Sequence, residues 1–358
     1  MIAFALAAAS LVLLVPGWLL LRRLRALPSP ARQSSRVSVI IPARDEAHNL
    51  PRLLRSLAGE GALEVIVADD GSVDDTAAVA GSHGARVVSV PDAPQGWRGK
   101  TWGCWTAAQQ ARGEALVFLD ADTELVTGGL ARLVGALEAR GGLVSAEPYH
   151  VVPRPHEQLS LVFNVVRAAG VGPSGAFGPC IATSRQDYFA TRGHAHADVR
   201  GQVLESFAMG RVYAAAGLPV HGHLGTGTIR VRMYPGGPGE LVEGWSKALA
   251  SGAAGTPRGA LLLAVAWISG GMLASGALLA AALFGGHALA AGAAYLGHAA
   301  QALWLARRLG SFSPLAALLL PVVLVTFVAV FLRSLYLVRW RGQVSWKGRR
   351  ISLAERSS

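Results

Sequence analysis

Residues 116–125, LVFLDADTEL, decide the fold that this sequence predicts. The apolar residues 116–119 have the composition of a buried strand, and they deliver Asp120 and Asp122 to the end of that strand. Two carboxylates at such a short distance repel each other unless a cation lies beside them. Mg²⁺ and Mn²⁺ usually take one or two carboxylates together with substrate phosphates. A bare D-x-D pair also occurs in solvated loops, so the surrounding sequence must decide between a metal site and a solvated pair.

The composition is that of a membrane protein. Of the 358 residues, 52% are hydrophobic and 15% are charged, whereas soluble domains carry about 25% charged residues. The net charge of +11 suits nucleic acid or an anionic membrane surface, and the apolar excess favours the membrane. Because the arginine runs flank apolar segments rather than a groove, no nucleic-acid partner is expected. Cys104 and Cys180 give no disulfide framework and fit a reducing compartment.

The N-terminus predicts a membrane anchor, residues 1–21, in which positions 2–21 carry no charge. A cleaved signal peptide places its positive charges before the apolar core. Here the basic linker, residues 22–36, follows the core and contains five arginines: Arg22, Arg23, Arg25, Arg32 and Arg36. We therefore expect an uncleaved anchor whose C-terminal flank is cytoplasmic.

An α/β domain follows the linker. Strand-like runs at 37–41, 63–68, 85–90 and 116–119 alternate with helical patterns, which predicts a parallel sheet with helices on both faces. Ligands of such sheets bind outside the carboxyl ends of the strands. The residues of interest at these ends are Pro42, Arg44 and Glu46 after the first strand, Asp70 after the second, and Asp120 and Asp122 after the fourth. We expect these side chains to meet in one crevice.

Residues 95–101, QGWRGKT, resemble a phosphate-binding loop only superficially. A P-loop requires glycine at position 94, which is Pro94, and a strand leading directly into the loop. Lys100 could still contact a phosphate as a point charge, and a plain surface turn is the alternative.

The second half of the domain offers fewer signals. Residues 159–168 form an apolar helix that belongs either to the core or to a membrane interface. His194, His196 and Asp198 alternate, but their spacing matches no usual zinc pattern, so structural or acceptor-side roles are favoured. Another helical stretch carries Trp245 and Lys247. We divide the domain into a first half, 37–150, and a second half, 151–250.

The C-terminal region, 260–338, contains strong apolar segments at 260–284 and 314–338 and a weaker one at 286–306. The tail, 339–358, is basic and suits an interface on the cytoplasmic side. Three spans after a cytoplasmic domain would place this tail outside, and two would place it inside. A re-entrant or interfacial position of the Ala/Gly-rich segment 286–306, or a broken span, would resolve the conflict, and the sequence leaves the choice open.

Three motifs resemble glycosyltransferase family 2, in its membrane-attached branch with a GT-A fold. They are VIIPARDE at 39–46, VADDGS at 67–72 and FLDAD at 118–122. Further stretches are similar to carotenoid glycosyltransferases of the diaponeurosporenoate and hydroxychlorobactene type, namely GWRGK at 96–100, Gly193-His194, EGWSK at 243–247 and WKGR at 346–349. Hopanoid and ceramide glucosyltransferases share parts of this second set.

The resemblance implies roles for these residues. Pro42, Arg44 and Glu46 would line the nucleotide pocket, and Asp70 would accept a hydrogen bond from uracil. Asp120 and Asp122 would bind ribose and Mn²⁺ or Mg²⁺, with Asp122 as the direct metal ligand. The acceptor and diphosphate region would contain Trp97, His194, Trp245 and Lys247.

The resemblance also implies a general base, which in much of the family is the Asp of a Glu-Asp pair that opens a helix. The matching pair here is Glu205-Ser206, so the Asp is absent. Glu205 is the candidate base and Asp198 the second choice; a structural carboxylate is the alternative for Glu205. A carboxylate acceptor would need no strong base, and the departure also leaves open an altered activity.

The expected function is the inverting transfer of one hexose, from UDP-glucose, to a lipid such as a carotenoid. The Gln-x-x-Arg-Trp motif of processive relatives is missing, which favours a single transfer. The alternatives are a polyprenyl phosphate, ceramide or hopanoid-type acceptor, and a non-catalytic membrane protein that binds nucleotide sugars. The expected location is the inner or plasma membrane, with several spans and a cytoplasmic catalytic domain.

Overall fold

The structure, a computed structural model, describes residues 1–29, 35–341, 343–346 and 349–352. Parts of two predicted segments lie outside the described residues: 30–34 of the basic linker, and 342, 347–348 and 353–358 of the tail. They include Arg32 of the linker, and Lys347 and Gly348 of the tail motif.

The α-helices of the described residues follow one another along the whole chain. In chain order they are α1 (Ile2–Val12), α2 (Leu14–Leu20), α3 (Leu50–Leu57), α4 (Thr76–Ser82), α5 (Gly99–Gln110), α6 (Gly129–Arg140), α7 (Pro155–Gln158), α8 (Leu161–Val171), α9 (Arg185–Ala190), α10 (Ala197–Arg200), α11 (Glu205–Ala215), α12 (Pro238–Gly255), α13 (Arg258–Phe284), α14 (Ala288–Arg307), α15 (Pro314–Leu318) and α16 (Leu320–Tyr336). A 3₁₀ turn covers Gly193–Ala195 and a π-helical turn covers Leu337–Arg341.

The β-strands concentrate between the first and the last membrane-type helices. In chain order they are β1 (Val37–Ala43), β2 (Glu64–Asp69), β3 (Arg86–Ser89), β4 (Ala115–Leu119), β5 (Thr123–Leu125), β6 (Leu143–Glu147), β7 (Tyr149–His150), β8 (Cys180–Ser184), β9 (Val220–Leu224), β10 (Ile229–Val231), β11 (Gln343–Trp346) and β12 (Arg349–Ser352). The last two pair antiparallel with each other.

The chain divides into two compact units that interleave along the sequence. The sheet unit contains Leu24–Tyr149 and Val171–Arg232, and the helix unit contains Met1–Arg23, His150–Gly170 and Met233–Ser358. These two units are defined by compactness alone. They do not test the division of the domain at residue 150, which concerns function and remains a prediction.

A seven-stranded sheet, in the order β3-β2-β1-β4-β8-β6-β9, forms the centre of the sheet unit. The strands β1 to β4 are parallel to one another, and β6 is parallel to β9. The strand β8 runs antiparallel between β4 and β6. The predicted α/β layers are thus confirmed, but the sheet is mixed rather than wholly parallel because β8 returns from the loop after α8.

Both faces of this sheet are covered by helices. Val39 and Ile41 of β1 pack in a core with α3 and α6, whereas Ile40 packs on the other face in a core with α5 and α11. Alternation along one strand sends successive side chains to opposite faces, so a strand covered on both faces must be apolar at every position. That is why 37–41 and 116–119 read as continuous apolar runs.

The helix unit contains the helices that could cross a membrane. Within the described residues, three are long and apolar enough by length and composition: Ile2–Leu20, Arg258–Phe284 and Leu320–Trp340. The helix α14 packs against α1 and α13. Its Gln301 accepts a hydrogen bond from Trp267 Nε1 at 3.0 Å and donates one to the carbonyl of Leu14 at 2.8 Å. Polar side chains of α14 therefore find partners inside the helix unit instead of facing lipid.

The segment formed by α15 and α16 bends back on itself. Before α15, the amide of Ser313 donates to Gln158 Oε1 at 3.0 Å. Fourteen residues later, the ring of Phe327 lies 5.0 Å from that of Phe163. Near the end of α16, Arg333 Nη1 donates to Ser246 Oγ at 2.8 Å.

These contacts place both ends of the segment at one location. A straight helix from 313 to 333 would be about 30 Å long, yet its two ends touch residues that are neighbours, since Trp245 donates to Ser160 Oγ at 3.3 Å. Pro321, in the first turn of α16, lacks the N–H that would continue α15. Ser313 before α15 and Arg333 near the end of α16 therefore both contact the part of the helix unit around residues 158–163 and 245–246.

We expect the residues before α15 and after α16 to lie on the same side of the membrane. Ser311→Cys and Ser345→Cys, made separately, should react with a membrane-impermeant maleimide from one side, whereas Gly286→Cys between α13 and α14 should react from the other. Cys104 and Cys180 are buried and give little background. Labelling of Ser311→Cys and Ser345→Cys from opposite sides would mean that α16 crosses the bilayer.

Candidate active site

The first turn of α5 lies at the centre of the candidate site. The sequence suggested a loop around Lys100, but α5 already begins at Gly99, so this part of the interpretation was wrong. Thr101 Oγ1 accepts a hydrogen bond from the Arg98 amide at 3.3 Å and donates to the carbonyl of Arg200 at 2.6 Å. A threonine that bonds back to the residue before a helix satisfies a free amide, as in a capping box. The start of α5 is thereby held against the end of α10.

Lys100 joins two carboxylates from different parts of the chain. Its Nζ lies 2.7 Å from Asp120 Oδ1, just after β4, and 2.8 Å from Glu205 Oε1, at the first position of α11. The Lys100 side chain is 37% exposed and that of Glu205 only 8%. The sequence therefore identified all three residues, although it assigned Lys100 to a phosphate and not to these carboxylates.

The protonation states follow from this arrangement. Burial acts to lower the pKa of Lys100, but Asp120 and Glu205 outweigh it and hold that pKa well above its usual value. Burial acts to raise the pKa of Glu205, and the charge and hydrogen bond of Lys100 outweigh it in the opposite direction, so the pKa of Glu205 is lowered. Lys100 is a cation and Glu205 an anion at neutral pH, and Glu205 is a weak base.

Asp70 lies beside the same helix start. Its carboxylate forms an ion pair with Arg44, with 3.4 Å between Oδ2 and Nη1. A Cβ atom at Gly99 would lie only 2.2 Å from Asp70 Oδ2, so Asp70 and α5 approach each other only because residue 99 is glycine. The next residue, Lys100, binds Asp120. Asp70 and Asp120 therefore meet at the start of the same helix, as the sequence predicted. The role of Gly99 itself was missed, since a glycine in a presumed loop gives no such signal.

Asp122 lies in a strongly negative environment. Loss of solvent and the charges of Asp120 and Glu46 raise the pKa of Asp122 to about 7. Glu46 is positioned by its amide, which donates to Thr76 Oγ1 at 2.8 Å. The carbonyl of Asp122 accepts a hydrogen bond from Arg52 Nη2 at 3.0 Å, a contact that the sequence did not suggest. The carboxylates of this region would ionise together more easily beside a cation.

Asp120 and Asp122 could supply some, but not all, of the ligands of a divalent ion. No group of three potential His, Cys, Asp or Glu ligands occurs within the ranges that the structure describes. This donor set suits an ion that takes one or two carboxylates and completes its shell with phosphate and water, as Mg²⁺ does. It does not suit a metal held by side chains alone.

His194 is buried behind the Lys100 cluster. Its Nδ1 lies 2.9 Å from the Tyr188 hydroxyl, and its ring meets that of Phe118 edge-on at 4.9 Å. Burial lowers the pKa of His194 to about 3, with Lys100 acting in the same direction. His194 is therefore neutral at physiological pH and cannot carry a positive charge for a diphosphate.

The remaining predicted residues occupy more varied positions. Asp198 is 77% exposed, with His196 Nδ1 at 3.8 Å, and Pro42 lies within β1 opposite Ala68. Trp97 packs edge-on against Trp102 with 4.9 Å between the ring centroids. The roles that the sequence suggested for these residues remain predictions.

Trp245 and Lys247 belong to the helix unit. Trp245 is buried, with its ring stacked on that of Phe163 at 5.0 Å, and Lys247 is half-buried two residues further along α12. Trp245 thus contributes to the core of its own unit. An additional role at the acceptor remains a prediction.

The site can bind a diphosphate-containing ligand and perform chemistry beside it. Helix termini with free amides attract phosphate, and Lys100 lies in the first turn of α5. An acidic rim with Asp120 and Asp122 can take a divalent ion, and a buried carboxylate, Glu205, lies on the other side of Lys100. This combination of an anion-binding helix start and an acidic rim suits group transfer from a nucleotide diphosphate.

Comparisons with known proteins agree with this interpretation. Residues 38–158 match the profile of "Glycosyl transferase family 2". The 4,4'-diaponeurosporenoate glycosyltransferase of Staphylococcus haemolyticus is 34% identical over 361 residues, covering 95% of this chain and 96% of that protein. The enzyme of the same name from Staphylococcus aureus strain MRSA252 is 34% identical over 335 residues, 89% of each.

The chain belongs to glycosyltransferase family 2. A solved structure of the mannosyltransferase from Pyrobaculum calidifontis, in complex with GDP-Man and Mn²⁺, matches it with a TM-score of 0.56 at 21% identity, covering 95% of this chain and 98% of that one. This likeness confirms the GT-A fold. The protein is therefore a glycosyltransferase with a GT-A domain and terminal helices apolar enough to span a membrane.

The ion cluster of this glycosyltransferase can be tested by a double-mutant cycle. Lys100→Met should lower stability by about 2 kcal/mol, because Glu205 stays buried without its counter-charge; the partial exposure of Lys100 keeps the loss below that of a fully buried pair. Glu205→Met alone should also destabilise the protein.

The double variant Lys100→Met/Glu205→Met should lose less stability than the two single losses added together. Tm values of the detergent-solubilised proteins measure this coupling. Additive losses would contradict the ion pair.

Proposed function

We propose that the enzyme transfers one hexose from UDP-glucose, with inversion, to the carboxylate of a carotenoid acid. The observation that carries this proposal is the position of Lys100, between Asp120 on the donor side and Glu205 at the start of α11. The names of the staphylococcal relatives support the acceptor class, because 4,4'-diaponeurosporenoate is a carboxylate.

The donor would bind around the start of α5. Asp70 would accept the uracil N–H, with Arg44 as its partner, and Pro42 and Glu46 would complete the nucleotide pocket. Asp120 and Asp122 would hold Mn²⁺ or Mg²⁺, and the raised pKa of Asp122 supports a cation there. When bound, such an ion stabilises the charge of the departing diphosphate. Lys100 would add a fixed positive charge on the same side.

The transfer itself is a single displacement. The bond from the anomeric carbon to the diphosphate oxygen breaks, its electron pair leaves with the diphosphate, and an acceptor oxygen attacks from the opposite face. An alcohol acceptor must lose a proton to a base during this step. A carboxylate acceptor has already lost it, so the lowered pKa of Glu205 suits a carboxylate better than an alcohol.

The membrane provides the route for the acceptor. A carotenoid acid is insoluble in water, and the helix unit contains the apolar helices Ile2–Leu20, Arg258–Phe284 and Leu320–Trp340. The arginines after the first of these helices support a cytoplasmic position for the residues that follow, in the inner or plasma membrane. A segment α15–α16 that enters and leaves on one side would keep the basic tail in the cytoplasm as well.

The acceptor and donor can be tested together. Membranes containing the enzyme are incubated with Mn²⁺, 4,4'-diaponeurosporenoate and radiolabelled UDP-glucose or GDP-mannose. We expect label from UDP-glucose in a coloured ester that alkali cleaves. Label in a mild-acid-labile anionic lipid would identify a polyprenyl phosphate acceptor, label in ceramide or hopanoid lipid would identify those acceptors, and nucleotide binding without transfer would indicate a non-catalytic protein.

Asp122→Asn should abolish transfer while the protein still inserts into membranes. The amide keeps the shape of the side chain but removes the charge that would hold the cation. Calorimetry should show that Mn²⁺ tightens UDP binding to the wild type and not to the variant. Asp92→Asn, at an exposed position, serves as the control. Normal turnover in Asp122→Asn would remove this residue from the site.

Glu205→Gln should reduce the transfer rate at least about tenfold while UDP binds with nearly unchanged affinity. The amide cannot neutralise Lys100, so the charge and the position of this lysine beside Asp120 would change. The exposed Glu114→Gln is the matched control. A variant that turns over at the rate of the wild type would show that Glu205 is only structural.

A further inference from the structure

The helix α8 has a polar side chain that the candidate active site does not use. Asn164 lies between Ser160 and Arg167, four residues before it and three after it, so the three residues share one face of the helix. Asn164 is completely buried, and neither its Oδ1 nor its Nδ2 has a hydrogen-bond partner. Both polar atoms of its amide group are therefore buried without a hydrogen bond.

Such an arrangement calls for a reason. Buried polar groups in folded proteins nearly always have a partner, and leaving one unpaired costs stability. Leucine has the same number of side-chain heavy atoms as asparagine and would leave no polar group unpaired. An amide in this position therefore suggests a ligand that supplies the missing hydrogen bonds.

Aromatic rings cover this face of α8. The Trp245 indole donates to Ser160 Oγ at 3.3 Å, and its ring lies 5.9 Å from Arg167 Cζ and 5.0 Å from the ring of Phe163. The other side of Phe163 meets Phe327 of α16. Phe163 directly precedes Asn164 in α8, so the amide is next in sequence to a cluster of flat apolar rings, and a hydrocarbon or polyene chain can pack against such rings.

Arg167 supplies positive charge beside the amide. One of its nitrogens, Nη2, lies 3.3 Å from His150 Nε2, so this histidine nitrogen acts as the acceptor and His150 is neutral in this pair. Arg167 is half-buried, which leaves the polar face accessible at this end. A guanidinium next to an amide N–H is a donor set that selects a carboxylate.

We propose that Asn164 and Arg167 bind the carboxylate of the lipid acceptor before the transfer step, while Trp245 and Phe163 pack against its chain. This inference rests on the proposed function, because it takes the acceptor to be a carotenoid acid. It gives Trp245 an acceptor role compatible with its buried position. Asn164 becomes a residue that discriminates an acid from an alcohol or an ester.

Binding without donor tests the site independently of transfer. The full-length protein in nanodiscs is titrated with 4,4'-diaponeurosporenoate and with its methyl ester, which lacks the charge. The wild type should bind the acid at least about tenfold more tightly than the ester. Asn164→Leu and Arg167→Gln should lose most of this preference, and the exposed Arg230→Gln should retain it.

Stability separates a binding role from a structural one. Asn164→Leu should have a Tm equal to or higher than that of the wild type, because an unsatisfied amide is replaced by an apolar group with the same number of heavy atoms. A lower Tm with an unchanged preference for the acid would show that the amide is structural and would overturn the proposal. UDP affinity should be unchanged in both variants.

The outcomes distinguish this site from the proposed function. Preferential binding of the acid without any sugar transfer would support the site and contradict the proposed activity. Transfer to the carotenoid acid, with equal binding of acid and ester by the wild type, would support the activity and overturn the site.

Discussion

The positive charge of Lys100 between Asp120 and Glu205 is the interaction on which the sheet unit's chemistry depends. Asp120 follows β4 and Glu205 opens α11, so a single side chain in the first turn of α5 links the end of the central sheet to the second half of the unit. Without that charge, two carboxylates would face each other with little solvent. The glycine at position 99 lets the same helix start reach Asp70, so one turn of helix gathers the acidic residues of two strands.

Much of this arrangement could be predicted from residue order alone. Apolar runs that stop at Asp69 and Leu119 indicate strands that end together, and parallel strands bring their carboxyl ends to one edge. The start of α5 could not be predicted, because glycine and tryptophan around Lys100 are poor helix formers and the contacts that fix the helix come from α10, about 100 residues later. The antiparallel strand β8 was missed for a similar reason. Its neighbours β4 and β6 both precede it in the sequence, and they lie on either side of it only in the folded sheet.

Hydropathy alone does not show how an apolar segment is arranged within the helix unit. The segment α15–α16 is as apolar as a spanning helix, and a count of apolar residues cannot show that its ends meet the same cluster near Trp245. The basic tail bears on this arrangement indirectly. Three spans after a cytoplasmic domain would place the tail outside, whereas basic residues favour the cytoplasmic side. The sequence suggested a re-entrant or interfacial segment at 286–306 or a broken span, whereas the contacts near Trp245 concern the segment from Ser313 to Arg333.

The loss of the family's usual aspartate after Glu205 can be understood through the charge around Lys100. Ser206 Oγ donates to Glu205 Oε1 at 3.1 Å, so the serine stabilises the anionic form of the carboxylate. An aspartate at this position would bring one more negative charge next to Glu205 and Asp120. Such a charge would help to deprotonate an alcohol but would repel an acceptor that is itself an anion. An ionised acid as acceptor therefore suits a site with a weak base at Glu205 and one negative charge fewer beside it. The serine in place of the aspartate agrees with a carboxylate acceptor and does not imply a loss of activity.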